Sequence, residues 1–335
     1  IKYFYLILYN IVYYIMYDYV IIGGGISGLY MNMKLLDKTK NILLLEGNNY
    51  FGGRIYQYND SKNNVSFPAG AARFNKSHIH VIKLLKYFNL LDFRKDKGGS
   101  SDIQFIDSKN QFNDKFKGQN GFIYIKKVLS KMKQENKNIL MNFTFMEYSS
   151  RVLNDDELEF MLTASGYSGQ LINMNAYDAY NLFSTGIRID VPFWGGKFHL
   201  LVNCILKYLE NKNSKPLKNM YVSDVLRKDD VFHVSVNKKI LKTRNIVFCT
   251  PKESLKKFTC LNPIKCIINE SISSKSLCRV YALFRENEPW IMNLKKKTVV
   301  NNQLRYIIPM NPEKGLIMIS YTDYIHTEYW NKKQN

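Results

Sequence analysis

The residues best equipped for chemistry are crowded between Asp18 and Ile55. Gly23-Gly24-Gly25-Ile26-Ser27-Gly28 satisfies G-x-G-x-x-G, and Glu46 follows 18 positions after Gly28. That spacing suits a bound dinucleotide. Gly23 permits a tight turn, Gly25 lets the backbone approach a pyrophosphate, and Gly28 lets a helix lie close to a strand. Ile26 and Ser27 open that helix, whose N-terminus offers unpaired N–H groups and partial positive charge to phosphates. Glu46 stands where a carboxylate can accept hydrogen bonds from a ribose diol.

The elements around these residues must hold them in place. Asp18-Tyr19-Val20-Ile21-Ile22 reads as a short buried strand. Leu29 to Leu36 carries apolar residues at helical spacing, and Ile42-Leu43-Leu44-Leu45 is a second buried strand that ends at Glu46. A glycine motif alone is weak; placed at a strand-to-helix turn with a correctly spaced acid it becomes specific.

Gly52-Gly53-Arg54 comes next. With these residues the chain resembles the flavin-containing amine oxidase family, which includes monoamine, polyamine and L-amino-acid oxidases. The resemblance implies an α/β protein. Its Rossmann-like FAD-binding domain would hold a parallel sheet with a three-stranded β-meander, beside a discontinuous α+β substrate domain. It implies FAD as cofactor, with Gly53 and Arg54 helping to hold the diphosphate; a guanidinium fork pairs well with phosphate oxygens. Small residues then dominate Phe67 to Phe74. In the family, a segment like Gly70-Ala71-Ala72-Arg73 runs beside the isoalloxazine. Arg73 is a candidate ligand for a substrate carboxylate, or else it pairs only with flavin or protein groups; both readings stay open.

Composition sets outer bounds. A chain of 335 residues with 46% apolar content is long enough for two domains and has material for their cores. Cys204, Cys249, Cys260, Cys266 and Cys278 show no paired spacing, which fits a reducing compartment such as the cytoplasm. The net charge of +20 comes from scattered lysines in an Asn-, Ile- and Tyr-rich chain. It reads as drift on a solvated surface, so neither a nucleic-acid nor a membrane partner is expected; a basic footprint for either is the competing reading. The apolar stretch before Asp18 is too short for a membrane anchor and lacks the marks of a signal peptide. It reads best as a start at Met16, with residues 1–15 an extension.

Further along, Ser77 to Leu91 reads as a helix and Lys95 to Lys117 as a polar loop or hairpin. His78 and His80 point to different helix faces, so no metal site is expected. Gly121 to Met132 and Leu158 to Ala164 look helical, in what resembles the family's substrate-domain insertion. Its aromatics, Tyr167 among them, read as core packing, with the lining of a substrate channel as the competing reading. Gly195-Gly196 precedes a helix with Phe198, Leu201, Val202, Ile205 and Leu209 on one face. Met220–Leu226, Val231–Val236 and Ile240–Leu241 read as the three-stranded meander, and Arg244–Cys249 as a buried strand stopped by Pro251. In the family, the backbone at the position of Val222 contacts adenine. The predicted division is residues 16–75 and 190–255 for the FAD-binding domain, and 76–189 and 256–335 for the substrate domain.

Leu277 to Phe284 resembles the family strand that carries a lysine near flavin N5, and Arg279 takes that lysine's place. A permanent cation cannot shift its protonation as a lysine can, so the departure bears on any catalytic role for Arg279. Two further strands are expected at Leu304–Ile308 and Leu316–Tyr321. Family members run on past this point with a flavin-contacting segment, so the resemblance implies a chain cut short at its C-terminal end. The implied reaction is oxidation of the C–N bond of an amine or amino acid to the imine, with oxygen as acceptor giving hydrogen peroxide. The alternatives are another FAD-dependent enzyme of the same fold, such as a desaturase or porphyrinogen oxidase, a degenerate flavin-fold protein, or a basic binding module.

Overall fold

The computed structural model describes residues 16–93, 103–186 and 193–332. The extension expected at residues 1–15 lies outside them. In chain order the main elements begin with β1 (Met16–Ile22), α1 (Ile26–Leu35) and β2 (Ile42–Leu45). They continue with β3 (Gln57–Asp60), β4 (Val65–Pro68), β5 (Arg73–Phe74), α2 (Ile79–Tyr87) and β6 (Ile103–Ile106). Helices α3 (Phe122–Met132), α4 (Asp155–Ala164) and α5 (Ala176–Asn181), strand β7 (Trp194–Gly195) and helix α6 (Phe198–Asn211) follow. The chain then adds β8 (Val222–Lys228), β9 (Val231–Val236), β10 (Lys239–Phe248), β11 (Leu277–Leu283), β12 (Lys297–Val300), β13 (Tyr306–Asn311) and β14 (Leu316–Asp323).

Two compact units result. One comprises the described part of Ile1–Ala72 with Lys83–Leu91 and Gly196–Ser274; the other comprises the described parts of Arg73–Ile82, Asp92–Gly195 and Lys275–Asn335.

The first unit is built on a five-stranded sheet in the order β2-β1-β10-β9-β8. β2, β1 and β10 are mutually parallel, whereas β9 and β8 return antiparallel. Ile42 to Leu45 are buried without exception, as a strand covered on both faces requires. α1 buries Gly28, Leu29, Asn32, Met33 and Leu35, and α6 buries the predicted stripe of Phe198, Leu201, Val202, Ile205 and Leu209. The amide of Asn32 and the hydroxyl of Ser214 satisfy each other in this interior at 3.1 Å.

The meander differs from its expectation in one respect. Ile240–Leu241 and Arg244–Phe248 are a single strand, β10. Its first half pairs with β9 and its second half with β1.

The second unit holds another five-stranded sheet, β11-β14-β13-β12-β6. It is antiparallel except for β6, which runs parallel to β12 from Ile103↔Lys297 to Ile106↔Val300. The described part of Lys95 to Lys117 therefore contributes a sheet strand rather than a hairpin. The helical core of this unit centres on Phe160, whose ring stacks on Phe116 at 4.5 Å and meets Phe105, Phe112 and Tyr124 edge-on.

Candidate functional site

Within the first unit, β1, α1 and β2 converge on a corner made almost wholly of backbone. Gly23 has φ +108°, and a Cβ there would lie 2.5 Å from the Cys249 carbonyl oxygen; only glycine fits this turn. A Cβ on Gly28 would overlap the Gly23 carbonyl oxygen, so the helix starts hard against the turn. Gly25 is the N-cap of α1, with no side-chain cap. A Cβ at Gly25 would find only the Gly52 carbonyl oxygen, at 3.9 Å. The corner is therefore tight beneath and open above, with the first-turn amides of Ile26, Ser27 and Gly28 at its floor.

Glu46 closes the inner side. It is only 7% exposed. Gly24 N–H donates to its Oε2 at 2.7 Å and Asn48 N–H donates to its Oε1 at 2.8 Å. Each carboxylate oxygen keeps further acceptor capacity. Gly24 occupies a wildcard position of the motif, and nothing in the motif assigns it a task. The structure does: a Cβ there would stand 2.8 Å from Glu46 Cβ and 2.6 Å from Phe51 Cδ1. A glycine in a wildcard position was the available signal.

A second glycine turn is stitched to the first. Gly52 N–H donates to the Gly24 carbonyl at 2.9 Å, and Gly53 adopts φ +57° beside Gly25. Arg54 follows with an exposed side chain. Its carbonyl receives Ala71 N–H at 3.0 Å, and a Cβ on Gly70 would overlap that same oxygen. Gly70 and Ala71 are thus tied to Arg54, while the Ala72 carbonyl receives Gly196 N–H at 2.8 Å. On the far side of Glu46, residues 217–220 run alongside: Glu46 N–H donates to Leu217 O, and Met220 N–H donates to Glu46 O, each at 2.8 Å. This leads into Val222, which is 8% exposed and starts β8.

These residues fit FAD on observations independent of the motif. The corner leaves room over Gly25. Glu46 can accept more hydrogen bonds. Thr250 Oγ1, next to Gly23, is buried with no hydrogen-bond partner among the described residues.

Two of the arginines singled out in the sequence, Arg73 and Arg279, lie in the second unit, which also holds a group of tyrosines. Arg73 pairs with Gly195 between β5 and β7, and its guanidinium lies 5.8 Å from the Phe193 ring centre. Arg279 on β11 lies 4.8 Å from the Tyr321 ring centre, with Nη2 3.5 Å from Tyr321 Oη. Tyr167 packs on Tyr306 and Tyr321 at 5.3 and 5.7 Å. Burial raises the Tyr167 phenol well above its ordinary range and Tyr321 adds to this, while Arg73 and Arg279 both pull it back. Burial by itself lowers the Arg279 pKa, but hydrogen bonding and charge interaction with Tyr321 and Tyr281 raise it overall, so Arg279 stays a cation. Both arginines thus act on Tyr167 through their charge; sequence spacing gave no sign of it. No group of three or more metal-ligating side chains exists among the described residues. No described helix is long and apolar enough to cross a membrane.

Residues 21–88 match the NAD(P)-binding Rossmann-like domain family. The fold is shared with known amine oxidases. A putrescine oxidase triple mutant aligns over 95% of this chain and 77% of its own, with a TM-score of 0.71 and 13% identity. Cyclohexylamine oxidase from Brevibacterium oxydans IH-35A gives 0.67, with 15% identity over 95% of this chain and 77% of its own. Closer sequence likeness is local. L-amino-acid oxidase of Mus musculus is 28% identical over 106 residues, 31% of this chain and 17% of that protein. (S)-6-hydroxynicotine oxidase of Paenarthrobacter nicotinovorans is 38% identical over 65 residues, 19% of this chain and 15% of that protein. The matched segments therefore span less than a fifth of either relative.

Proposed function

We propose that the chain binds FAD and oxidises the C–N bond of an amine or amino acid to the imine. Two electrons and two protons would pass to oxygen to give hydrogen peroxide. The observation that carries this reading is the corner itself, where Glu46 is locked to Gly24 beneath an open helix N-terminus. The amine oxidases that share the fold, and the two amine-oxidising relatives that match locally in sequence, support it.

In this reading the first unit holds the cofactor and the second the substrate. Gly23, Gly25, Ile26, Ser27, Gly28, Gly53 and Arg54 would hold the diphosphate, and Glu46 the ribose. The Val222 backbone would face adenine, and Gly70, Ala71 and Ala72 would pass the flavin ring. Bound FAD would supply a two-electron acceptor, which the side chains of this protein lack. Arg73 would receive a substrate carboxylate if the substrate is an amino acid. Arg279 would fix Tyr321 and hold positive charge rather than move a proton, because a guanidinium stays protonated.

A second reading has one observation in its favour. A CLA-producing fatty acid isomerase from P. acnes aligns over 91% of the chain with a TM-score of 0.61. FAD-dependent chemistry on a substrate without nitrogen would fit that likeness. The experiment is a visible spectrum of the purified chain, then a peroxide assay against amino acids, monoamines and polyamines. Flavin absorbance with amine-dependent peroxide supports the proposal. A colourless chain that binds no added FAD overturns it.

A further inference from the structure

Beside the turn that follows Glu46, on the segment hydrogen-bonded to it, the first unit leaves an aromatic ring in the open. Tyr221 is 54% exposed. Its ring nonetheless has two neighbours, and the backbone before it is tied down. A Cβ built on Gly47 would lie 3.5 Å from Tyr221 Cδ2, so the ring edge rests against the turn just past Glu46. Lys257 Nζ lies 3.5 Å from Tyr221 Oη at the outer end. The backbone before Tyr221 is tied to the same turn: Met220 N–H donates to Glu46 O at 2.8 Å and Asn219 N–H to Asn48 O at 2.9 Å. Val222, the next residue, turns its side chain into the core.

We propose that Tyr221 is the platform on which the adenine of the bound cofactor rests, while Glu46 takes the ribose hydroxyls. This rests on the FAD reading above and assigns that site a residue the glycine motif does not reach. Every base has a π-face, and stacking on an aromatic ring needs no specific hydrogen bond. The phenol ring does the work, and its hydroxyl serves to hold the ring through Lys257.

The test uses the whole chain, with FAD titrated by quenching of flavin fluorescence and ADP by competition. Tyr221→Ala is expected to weaken both FAD and ADP by about fivefold to a hundredfold. Tyr221→Phe and Tyr221→Trp, which keep a ring, should stay within about threefold of the parent chain. The thermal midpoint is followed in parallel, and if Tyr221→Ala does not fold, Tyr221→Leu takes its place. FAD affinity unchanged in the Ala or Leu variant overturns the proposal. So does a folded Phe variant that binds as weakly as the Ala variant. A parent chain that binds no FAD at all overturns the proposed function itself, a result separate from either of these.

Discussion

The Gly24 amide donates to Glu46 Oε2 at 2.7 Å across 22 residues of sequence, which couples the glycine turn to the acid at the end of β2. Glu46→Gln breaks that coupling, since a carboxamide offers one acceptor where two backbone N–H groups point. The loss is expected to cost about 1–3 kcal/mol of stability in the cofactor-free chain. FAD should bind about tenfold to a hundredfold more weakly. Thermal unfolding without flavin and a flavin titration separate the two effects.

The glycines of the chain should divide sharply by what surrounds them. Gly28→Ala places a methyl against the Gly23 carbonyl oxygen, a backbone atom that cannot swing aside. A loss of at least about 2 kcal/mol is expected. A Cβ on Gly195 meets nothing within 4 Å. Gly195→Ala should therefore change stability by no more than about 0.5 kcal/mol. Chemical denaturation of the two variants side by side is the measurement.

In the second unit, Asp323 is buried and accepts from Ser168 N–H at 3.0 Å, Ser168 Oγ at 3.2 Å and Gly169 N–H at 2.9 Å. Asp323→Ala would strand two buried amides. A loss of about 2–4 kcal/mol is expected, with early exchange of the Ser168 and Gly169 amide protons as its local mark.

Stability should also fall on mild acidification. Burial, and then the Arg305 guanidinium, hold the His326 pKa below its ordinary 6.5. The unfolded chain takes up that proton near 6.5 while the folded chain resists, so below that point the unfolded state binds more protons and is favoured. The stabilisation is complete above about 6.5 and is lost progressively as pH drops toward the folded value. The thermal midpoint should be lower at pH 5.5 than at pH 7.5. His326→Gln should flatten that dependence, and Arg305→Met should weaken it.

The glycine corner was legible because its turn, its helix and its acid lie within one βαβ span. Strand, glycine turn, helix stripe and terminal acid all show as local periodicity and spacing. The buried stripe of α6 was legible for the same reason. β6 was not: Ile103 to Ile106 sits in a polar stretch, and its identity as a strand comes from pairing with Lys297 to Val300. Nor was the union of Ile240–Leu241 with Arg244–Phe248, since β10 runs unbroken only because β9 and β1 flank its two halves. Tyr167 and its arginines come from three distant stretches of chain, and no local pattern announces such an interaction. Tyr221 lay beside a residue already singled out, but its exposure is a property of the folded surface.

β1 has Thr243 of β10 as a hydrogen-bonding neighbour, with Tyr17 and Thr243 separated by 226 residues. During synthesis on the ribosome, β1 and β2 must wait as an open-sided pair while most of the polypeptide emerges. The βαβ half of the first unit's sheet cannot close early, however local its signature. A nascent chain halted before residue 239 would present an unsatisfied β1 flank, a natural target for chaperones and for mispairing.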